Sequence, residues 1–327
     1  MYFNKTARLS LKALALGALA SSALTPAYAQ QKPVTPGVNV ITASKGVPVV
    51  NIATPNAQGV SYNTFSQFDV SAKGLILNNV STDQRNTWAG YVRGNPNVKA
   101  KQATLIINEI VSPAASAING RVDVLGKKAA VVIANPNGIS CNNCSFTNAS
   151  RVTFAAATPT IENGTLASLT TGAGGVRISG TPTGLTANTV NQLDVVGRTV
   201  VLEGKIWTKD LVISAGDHTF NYAKRTATVQ DIFRNTDYAI QSLNTGYVVA
   251  TNIRLISSGK GLGVNLVGKL TSNSYHTIIQ STGDVSLNRV ESQMDLRVTT
   301  LVRFRSMVRY PLRAPLHLMH GMRLLIP

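Results

Sequence analysis

The chain has 327 residues, and its 31 Lys and Arg residues outnumber 14 Asp and Glu residues, which gives a formal net charge of +17. Nine of these positive charges lie in two terminal segments without acids, Lys5 to Lys12 and Arg297 to the end, so the remaining residues carry +8. Because the basic excess is concentrated in these terminal segments, nucleic-acid binding is not the leading interpretation, and we expect no nucleic-acid partner.

The first residues predict a signal peptide over residues 1–29. Positive charges accompany an apolar stretch, Leu9–Leu19, and Ala27-Tyr28-Ala29 fits a small-x-small cleavage site before Gln30. The apolar stretch is too short to span a bilayer in the mature protein. We therefore expect export by the Sec machinery and a mature chain that begins near Gln30.

Short strands dominate the body of the chain, residues 30–296. Apolar runs of four to eight residues are bounded by Gly, Asn, Asp and Ser, which is the pattern of strands and not of helices. They recur loosely, as coils of a solenoid do, and predict an all-β, right-handed parallel β-helix with small extra-helical β elements. A β-sandwich is the second choice, because it would show clearer alternation and Asn-Gly hairpins. The predicted strands are Gly74–Leu77, Ala103–Ile107, Val122–Leu125, Ala130–Ile133, Arg151–Ala155, Leu193–Val196, Thr199–Leu202, Leu211–Ser214, Asn252–Ile256, Thr277–Ile279 and Val285–Leu287.

Residues 297–327 differ in amino-acid composition from the body of the chain. They carry six Arg, three Met and no acid where the preceding rhythm would supply Asn, Gly and Thr. We interpret them as an atypical basic tail produced by a shifted reading frame or a premature end; a genuine irregular terminus is the alternative. A basic membrane-binding helix ranks last, because Pro311 and Pro315 would break it.

Cys141 and Cys144 enclose two asparagines. Two cysteines cannot complete a tetrahedral zinc site, and the local sequence offers no further ligands, so we expect no metal and no cofactor. Export through an oxidising compartment favours a disulfide over free thiols. The loop it closes is so small that the bond should add little stability and little obstruction to threading.

The sequence gives little support for a catalytic site. Parallel β-helices also host polysaccharide-acting enzymes, but these require clustered carboxylates. The 14 acids of this chain are mostly isolated, without an Asp-x-Asp or Glu-Glu element. The segment Gly259–Gly263 lacks the spacing of a phosphate-binding loop and is better interpreted as a corner. We predict that the chain is not an enzyme, with a polysaccharide-acting enzyme as a distant alternative.

Two similar turns are the most informative feature. One is Asn95-Pro96-Asn97-Val98, and the other is Asn135-Pro136-Asn137-Gly138-Ile139. Asn accepts backbone hydrogen bonds, Pro fixes φ near −65°, and Asn-Gly tolerates positive φ, so each string specifies a sharp turn.

With the export signal, these turns resemble the amino-terminal secretion domain of the two-partner secretion exoproteins, the filamentous haemagglutinin and haemolysin family. Two departures are Val98, where Leu is usual, and Gly246–Ala250, which replaces the usual Gly-Gly-Met-Tyr-Ala; neither removes a turn residue. The similarity is ordered along nearly the whole mature body. It is carried by Val47–Asn56, Gly59–Asn63, Gln67–Val70, Gly74–Asn79, Ile106–Ile110, Ser116–Gly120, Asn148–Thr153 and Leu255–Val264.

The resemblance implies secretion and no reaction. In this family the unfolded chain reaches the periplasm, periplasmic POTRA domains of a dedicated outer-membrane β-barrel transporter recognise its amino-terminal domain, and folding outside the cell aids progress. By resemblance, Asn95, Pro96 and Asn97, with Asn135, Pro136, Asn137, Gly138 and Ile139, are the recognition candidates. A purely structural role, in which the turns only cap coils and Ile139 lies in the core, is an equal alternative.

The resemblance leaves the effector open. We expect a secreted or surface-exposed product of a Gram-negative bacterium that serves adhesion or contact-dependent toxin delivery, with a haemolysin as the alternative. An adhesin or toxin-delivery protein and a haemolysin would each normally need a long carboxy-terminal region, so we expect a truncated chain. The sequence does not identify a host or bacterial receptor.

Overall fold

The computed structural model describes residues 31–99, 101–180, 184–187, 189–229, 238–273 and 276–300. It also describes the backbone of three later strands, Phe304–Ser306, Leu316–Met319 and Leu324–Leu325. The predicted signal peptide lies outside the described residues. Within the described part, no helix is long and apolar enough to cross a membrane.

The chain winds as a parallel β-helix with three faces, as the sequence predicts. Face 1 is an 11-stranded sheet in which all neighbours pair in parallel except the first strand, which is antiparallel to the second. Its strands, in spatial and chain order, are Gln31–Pro33, Val60–Phe68, Leu105–Ile110, Ala129–Ala134, Ala149–Ala155, Gln192–Gly197, Asp210–Gly216, Asn252–Ser258, Thr277–Ser281, Leu296–Thr300 and Leu316–Met319.

Faces 2 and 3 form two parallel ladders that join into one 17-stranded sheet, because Gly263–Ser272 and Val285–Ser292 run through both. Face 2 also contains Ser116–Ile118, Ile139–Asn142, Val176–Ser179, Val200–Leu202, Tyr238–Ser242, Phe304–Ser306 and Leu324–Leu325. Face 3 contains Pro48–Asn51, Leu75–Asn79, Arg121–Gly126, Cys144–Thr147, Leu185–Thr186, Lys205–Trp207 and Tyr247–Ala250, with Asn39–Thr42 added antiparallel at its start.

Inward-pointing aliphatic residues stack from coil to coil. On face 1 the register places Val131 beside Val152, and the same column continues through Leu193, Leu211 and Ile253. All five are at most 1% exposed and belong to the main core cluster. Because one coil cannot bury its apolar side alone, this burial drives the stacking of coils.

Three excursions leave the solenoid and cover its outer surface, and two of them combine into one sheet. A four-stranded antiparallel sheet packs on the outer side of face 1 and creates a second apolar cluster. A two-stranded hairpin covers the early part of face 3 and contributes to a third cluster. Their strands are Ala157–Glu162, Thr165–Thr171, His218–Asn221 and Thr226–Val229 for the sheet, and Gln84–Asn86 and Gly90–Val92 for the hairpin.

Each segment that the sequence predicts as a strand overlaps a strand of the structure. The strands of the three faces pair almost entirely in parallel, so the alternative prediction of a β-sandwich is wrong. The strand Leu296–Thr300 crosses the predicted boundary at Leu296, and the later strands continue the ladders of faces 1 and 2.

Candidate functional site

The turn that begins at Asn135 connects face 1 to face 2 in the middle of the stack. The fully buried Asn135 amide donates to the Ala114 carbonyl oxygen at 2.9 Å and to Ser116 Oγ at 3.0 Å, both in the preceding coil. Its Oδ1 accepts from the backbone N–H of Asn137 at 3.0 Å, which closes an Asx turn. This side chain therefore joins its own turn to the coil before it.

The other members of this turn have separate tasks. Gly138 adopts a φ of 119°, which L side chains rarely adopt, and its N–H donates to the Asn135 carbonyl. Asn137 is exposed, yet its amide reaches the Ser112 carbonyl at 2.8 Å. Ile139 is 3% exposed and packs in the main core, and Pro136 is half-buried.

A glycine-rich segment, Gly172–Gly175, covers this turn from the following coil. Gly174 N–H donates to the Pro136 carbonyl at 2.8 Å, and Ile139 N–H donates to the Gly175 carbonyl at 3.0 Å. A Cβ at Gly174 would lie 2.2 Å from the Gly138 nitrogen, so only glycine allows this approach. The turn is therefore held from both sides by neighbouring coils.

The turn at Asn95 repeats the design. Its fully buried amide donates to the carbonyls of Asn78 at 2.8 Å and Ile52 at 3.0 Å, and its Oδ1 accepts from Asn97 N–H at 2.9 Å. Asn97, like Asn137, donates its amide to carbonyls elsewhere, at Ile52 and Gly37. Pro96 is exposed and Val98 is buried.

The two turns do not lie side by side in the fold. Asn95 connects the hairpin excursion back toward the start of a face 1 strand, whereas Asn135 follows the end of a face 1 strand. The two turns therefore lie at opposite ends of the face 1 strands, one before a strand begins and the other after a strand ends. In the folded domain the surface-accessible side chains of the motifs are mainly Pro96 and Asn137, because Asn95, Asn135, Gly138 and Ile139 are buried.

Cys141 and Cys144 follow the second turn, and their sulfur atoms are bonded at 2.01 Å. Both residues are at most 1% exposed and lie in the main core. The bond connects a face 2 strand directly to a face 3 strand, Ile139–Asn142 to Cys144–Thr147, across a corner at which Asn143 adopts a positive φ of 53°.

Asn79 is a corner cap that the turn motifs did not reveal. Its fully buried amide donates to the carbonyls of Ala103 at 3.0 Å and Lys127 at 2.9 Å, and its Oδ1 accepts from Ala103 N–H at 2.7 Å. The Asn79 side chain thus makes three hydrogen bonds, against four for Asn135, but without a following proline. Its place at the end of an apolar run was the available signal.

A buried ion network, not expected from the sequence, attaches the four-stranded sheet to face 1. Asp194 accepts from Arg151 Nε at 2.6 Å and from Arg225 Nε at 2.7 Å, and Arg225 also reaches Asp210 at 2.6 Å. Burial lowers the pKa of Arg225, but Asp194 and Asp210 outweigh it and raise the pKa overall. Arg254, close to Arg225 and partly buried, has a lowered pKa through burial and this repulsion.

Folding also brings together a serine and a histidine. Ser214 Oγ lies 2.8 Å from His218 Nε2, and His218 Nδ1 lies 3.1 Å from the Gly216 carbonyl oxygen. Both side chains are fully buried, and burial lowers the pKa of His218 to about 4. A neutral ring donating from Nδ1 and accepting at Nε2 satisfies both partners, so we interpret the pair as structural. In the described residues, no three His, Cys, Asp or Glu side chains group as a metal site would require.

A sequence model of the TPS secretion domain matches residues 25–287 of this chain. The match begins before the first described strand and extends through the turns, the disulfide and both sheets of the solenoid. It therefore covers the greater part of the chain.

Similar proteins give the same result. The chain is 38% identical over 256 residues to a tRNA nuclease CdiA of Yersinia mollaretii and 37% identical over 258 residues to the filamentous hemagglutinin of Bordetella pertussis. These alignments cover 78% and 76% of this chain but only 8% and 7% of those proteins. The crystal structure of a filamentous hemagglutinin secretion domain matches with a TM-score of 0.74 and 32% identity, covering 89% of this chain and 97% of that one.

Proposed function

The chain belongs to the TPS secretion domain family, and from this premise we propose that its β-helix directs export through a cognate outer-membrane transporter. The finer proposal is that Sec delivers the chain to the periplasm, where the POTRA domains of the transporter recognise it. The observation that carries this proposal is the family match over residues 25–287, supported by the likeness to a solved secretion domain over 89% of the chain.

The two turns are the proposed recognition elements. Asn95 and Asn135 are fully buried in the folded domain, with their amides committed to backbone carbonyls of neighbouring coils. A transporter could therefore read these side chains only before the coils stack. We propose that the motifs act first as recognition sequences in the unfolded chain and then as corner caps in the folded one.

Folding of the chain after it leaves the transporter gives its transport a direction. Each coil buries its inward side chains only when the next coil stacks on it, so emerging segments gain stability in chain order. A folded coil resists unthreading, which opposes backward movement of the chain. The disulfide does not hinder passage in this scheme, because it closes a loop with a sequence separation of only 3.

For the larger exoprotein, we propose a role in adhesion or contact-dependent toxin delivery, at the cell surface or in the medium of a Gram-negative bacterium. The support is the identity to a hemagglutinin and to CdiA proteins, whose length this chain covers only in small part.

Secretion of the full chain with and without its cognate transporter tests the proposal. Two strains that differ only in the transporter gene would express the chain, and immunoblots would compare the medium with the periplasm. We expect release into the medium only when the transporter is present. Equal release from both strains would refute transporter-directed export.

A further inference from the structure

The late part of face 3 carries a row of aromatic and basic side chains on its outer side. The strand register places in this row, from coil to coil, Lys205, Tyr247, Lys269 and Arg289. Trp207 lies two residues after Lys205 and so points to the same side of the sheet, where it is 46% exposed. The hairpin covers only the early part of face 3, which leaves this row open to a partner.

Lysine ammonium groups lie between the rings of this row. Lys205 Nζ is 4.7 Å from the centroid of the Trp207 ring and 5.6 Å from that of the Tyr247 ring. Lys269 Nζ lies 5.5 Å from the same Tyr247 centroid. All three distances are within the range of about 6 Å for cation–π attraction, so rings and cations are held together in one layer.

The row has a net positive charge. Glu291 lies on the same outer side and pairs with Lys269 at 2.6 Å and with Arg289 at 3.0 Å. Even with this carboxylate counted, the three cations of the row leave two positive charges. The side chain of Arg289 is 61% exposed, so the charge at this end of the row is accessible to an anionic partner.

Two aliphatic side chains extend the row at the corner between faces 2 and 3. Leu243 and Val267 occupy the same corner in successive coils, and they are 51% and 36% exposed. Apolar groups that adjoin one another on a surface mark an interaction site. We call these two residues and the row together the aromatic–basic surface.

The composition and shape of the aromatic–basic surface favour a lipid bilayer over a protein segment. Its strands pair with neighbours on both sides, so they offer no free edge to which a peptide could add as a strand. Trp and Tyr prefer the boundary between bilayer and water, where their rings lie at the level of the headgroups. Basic side chains are attracted to an anionic leaflet by about 1 kcal/mol each.

We propose that the aromatic–basic surface docks the folded domain on an anionic phospholipid bilayer. Trp207 and Leu243 enter the headgroup layer, and Lys205 and Arg289 pair with lipid phosphates. The proposal is independent of export, because it concerns the folded chain and needs no transporter.

Tryptophan fluorescence would test the proposal, because the chain has only two tryptophans. Trp88→Phe leaves Trp207 as the reporter, and Trp207→Phe leaves Trp88, which packs against the third core cluster beneath the Arg121 guanidinium. Each purified variant would be mixed with vesicles of phosphatidylcholine and phosphatidylglycerol that carry brominated acyl chains. We expect Trp207 emission to shift to shorter wavelength and to be quenched, and Trp88 emission to stay unchanged. Vesicles of phosphatidylcholine alone should have no effect on either.

A pair of charge variants locates the binding surface by sedimentation with the same anionic vesicles. Lys205→Gln should bind about fivefold more weakly, because it loses one cation of the row. Lys224→Gln makes the same charge change at an exposed turn of the four-stranded sheet, outside face 1, and should bind as the parent chain does. Circular dichroism would verify that all variants are folded.

Several outcomes would overturn the proposal. One is the absence of binding to anionic vesicles; if polyglutamate then shifted Trp207 emission, the surface would belong to an acidic polypeptide instead. Another is sedimentation without quenching of Trp207, which would assign the binding to a different basic segment such as residues 297–327. Equal quenching of both tryptophans, or equal weakening by Lys205→Gln and Lys224→Gln, would also contradict docking through this surface.

Discussion

At the scale of single residues, buried asparagines hold the corners of this solenoid. Asn79, Asn95 and Asn135 are all fully buried, and each donates its amide to carbonyls outside its own turn, while the oxygens of Asn95 and Asn135 accept from backbone N–H groups within their turns. A buried polar group is tolerated only when its hydrogen bonds are made. Asn therefore carries most of the specificity of these turns, and proline limits the conformations of the unfolded turn.

Asn135→Ala should destabilise the domain by about 2–4 kcal/mol, because it empties a fully buried position, leaves the buried Ser116 Oγ without this donor, and also removes the bonds to the Ala114 carbonyl and the Asn137 N–H. The exposed Asn137→Ala loses mainly its bond to Ser112 and should cost about 1 kcal/mol or less. Urea unfolding followed by circular dichroism measures both. Equal costs would contradict this account of the corner.

His218 should make stability depend on pH. Its pKa is about 4 in the folded chain, against 6.5 for an unperturbed ring, so between these values the unfolded chain binds more protons. Stability should therefore fall as pH drops from about 6.5 to 4, by about 3 kcal/mol at most. His218→Gln cannot titrate, and the difference between its unfolding curves and those of the parent isolates this effect. Parallel pH profiles would show that the ring is not held neutral.

At the scale of elements, each corner depends on the coils above and below it. The segment Gly172–Gly175 follows the first two strands of the four-stranded sheet and returns to cover the turn at Asn135. The ion network of Asp194 and Arg225 holds the excursion itself against face 1. Contacts between coils, and not local turn propensity alone, thus fix the position of the motif.

Gly174→Ala should destabilise the chain by about 2 kcal/mol or more, because its Cβ would lie 2.2 Å from the Gly138 nitrogen. That nitrogen belongs to the backbone and cannot move aside as the end of a flexible side chain can. At Gly197 the nearest atom to a Cβ is the Ala156 Cβ at 3.2 Å, so Gly197→Ala provides a milder control. Thermal unfolding would compare them. A Gly174→Ala variant as stable as Gly197→Ala would mean that the two coils do not pack as described.

Arg225→Ala should release the four-stranded sheet from face 1. Its removal leaves the buried Asp194 with Arg151 as its remaining cation, and breaking a buried pair costs about 3–5 kcal/mol. Amide exchange should accelerate in His218–Asn221 and Thr226–Val229 before the solenoid opens. The exposed pair Arg177 and Glu203 is the control, with about 0–1 kcal/mol expected for Arg177→Ala. Unchanged exchange in both sheet strands would contradict the anchoring role.

The sequence predicts the solenoid well because its cause is local. Apolar runs such as Ala129–Ala134 are buried on both sides, by the core within and the four-stranded sheet outside, so they show no alternation. The two Asn-Pro-Asn turns were identifiable from their residue types alone. The ion network was not, because Arg151, Asp194 and Arg225 are far apart in sequence and no local pattern indicates that they meet.

At the scale of the whole molecule, export and folding impose different demands on the same residues. The unfolded chain presents the turn motifs, and the folded chain hides Asn95 and Asn135. We propose that the motifs act in both states, first in recognition by the transporter and then as corner caps. A buried asparagine outside the motifs separates the two roles, because it shares only the second.

Binding of the urea-unfolded chain, after dilution, to the purified POTRA domains of the cognate transporter would test this dual role. Asn135→Ala removes four side-chain hydrogen bonds and Asn79→Ala removes three, both from a fully buried amide, so the two variants should destabilise the folded domain to a similar extent. We expect Asn135→Ala to bind the POTRA domains at least tenfold more weakly, while Asn79→Ala should bind as the parent chain does. Equal affinity of all three chains would contradict recognition and leave the turns as corners of a β-helix.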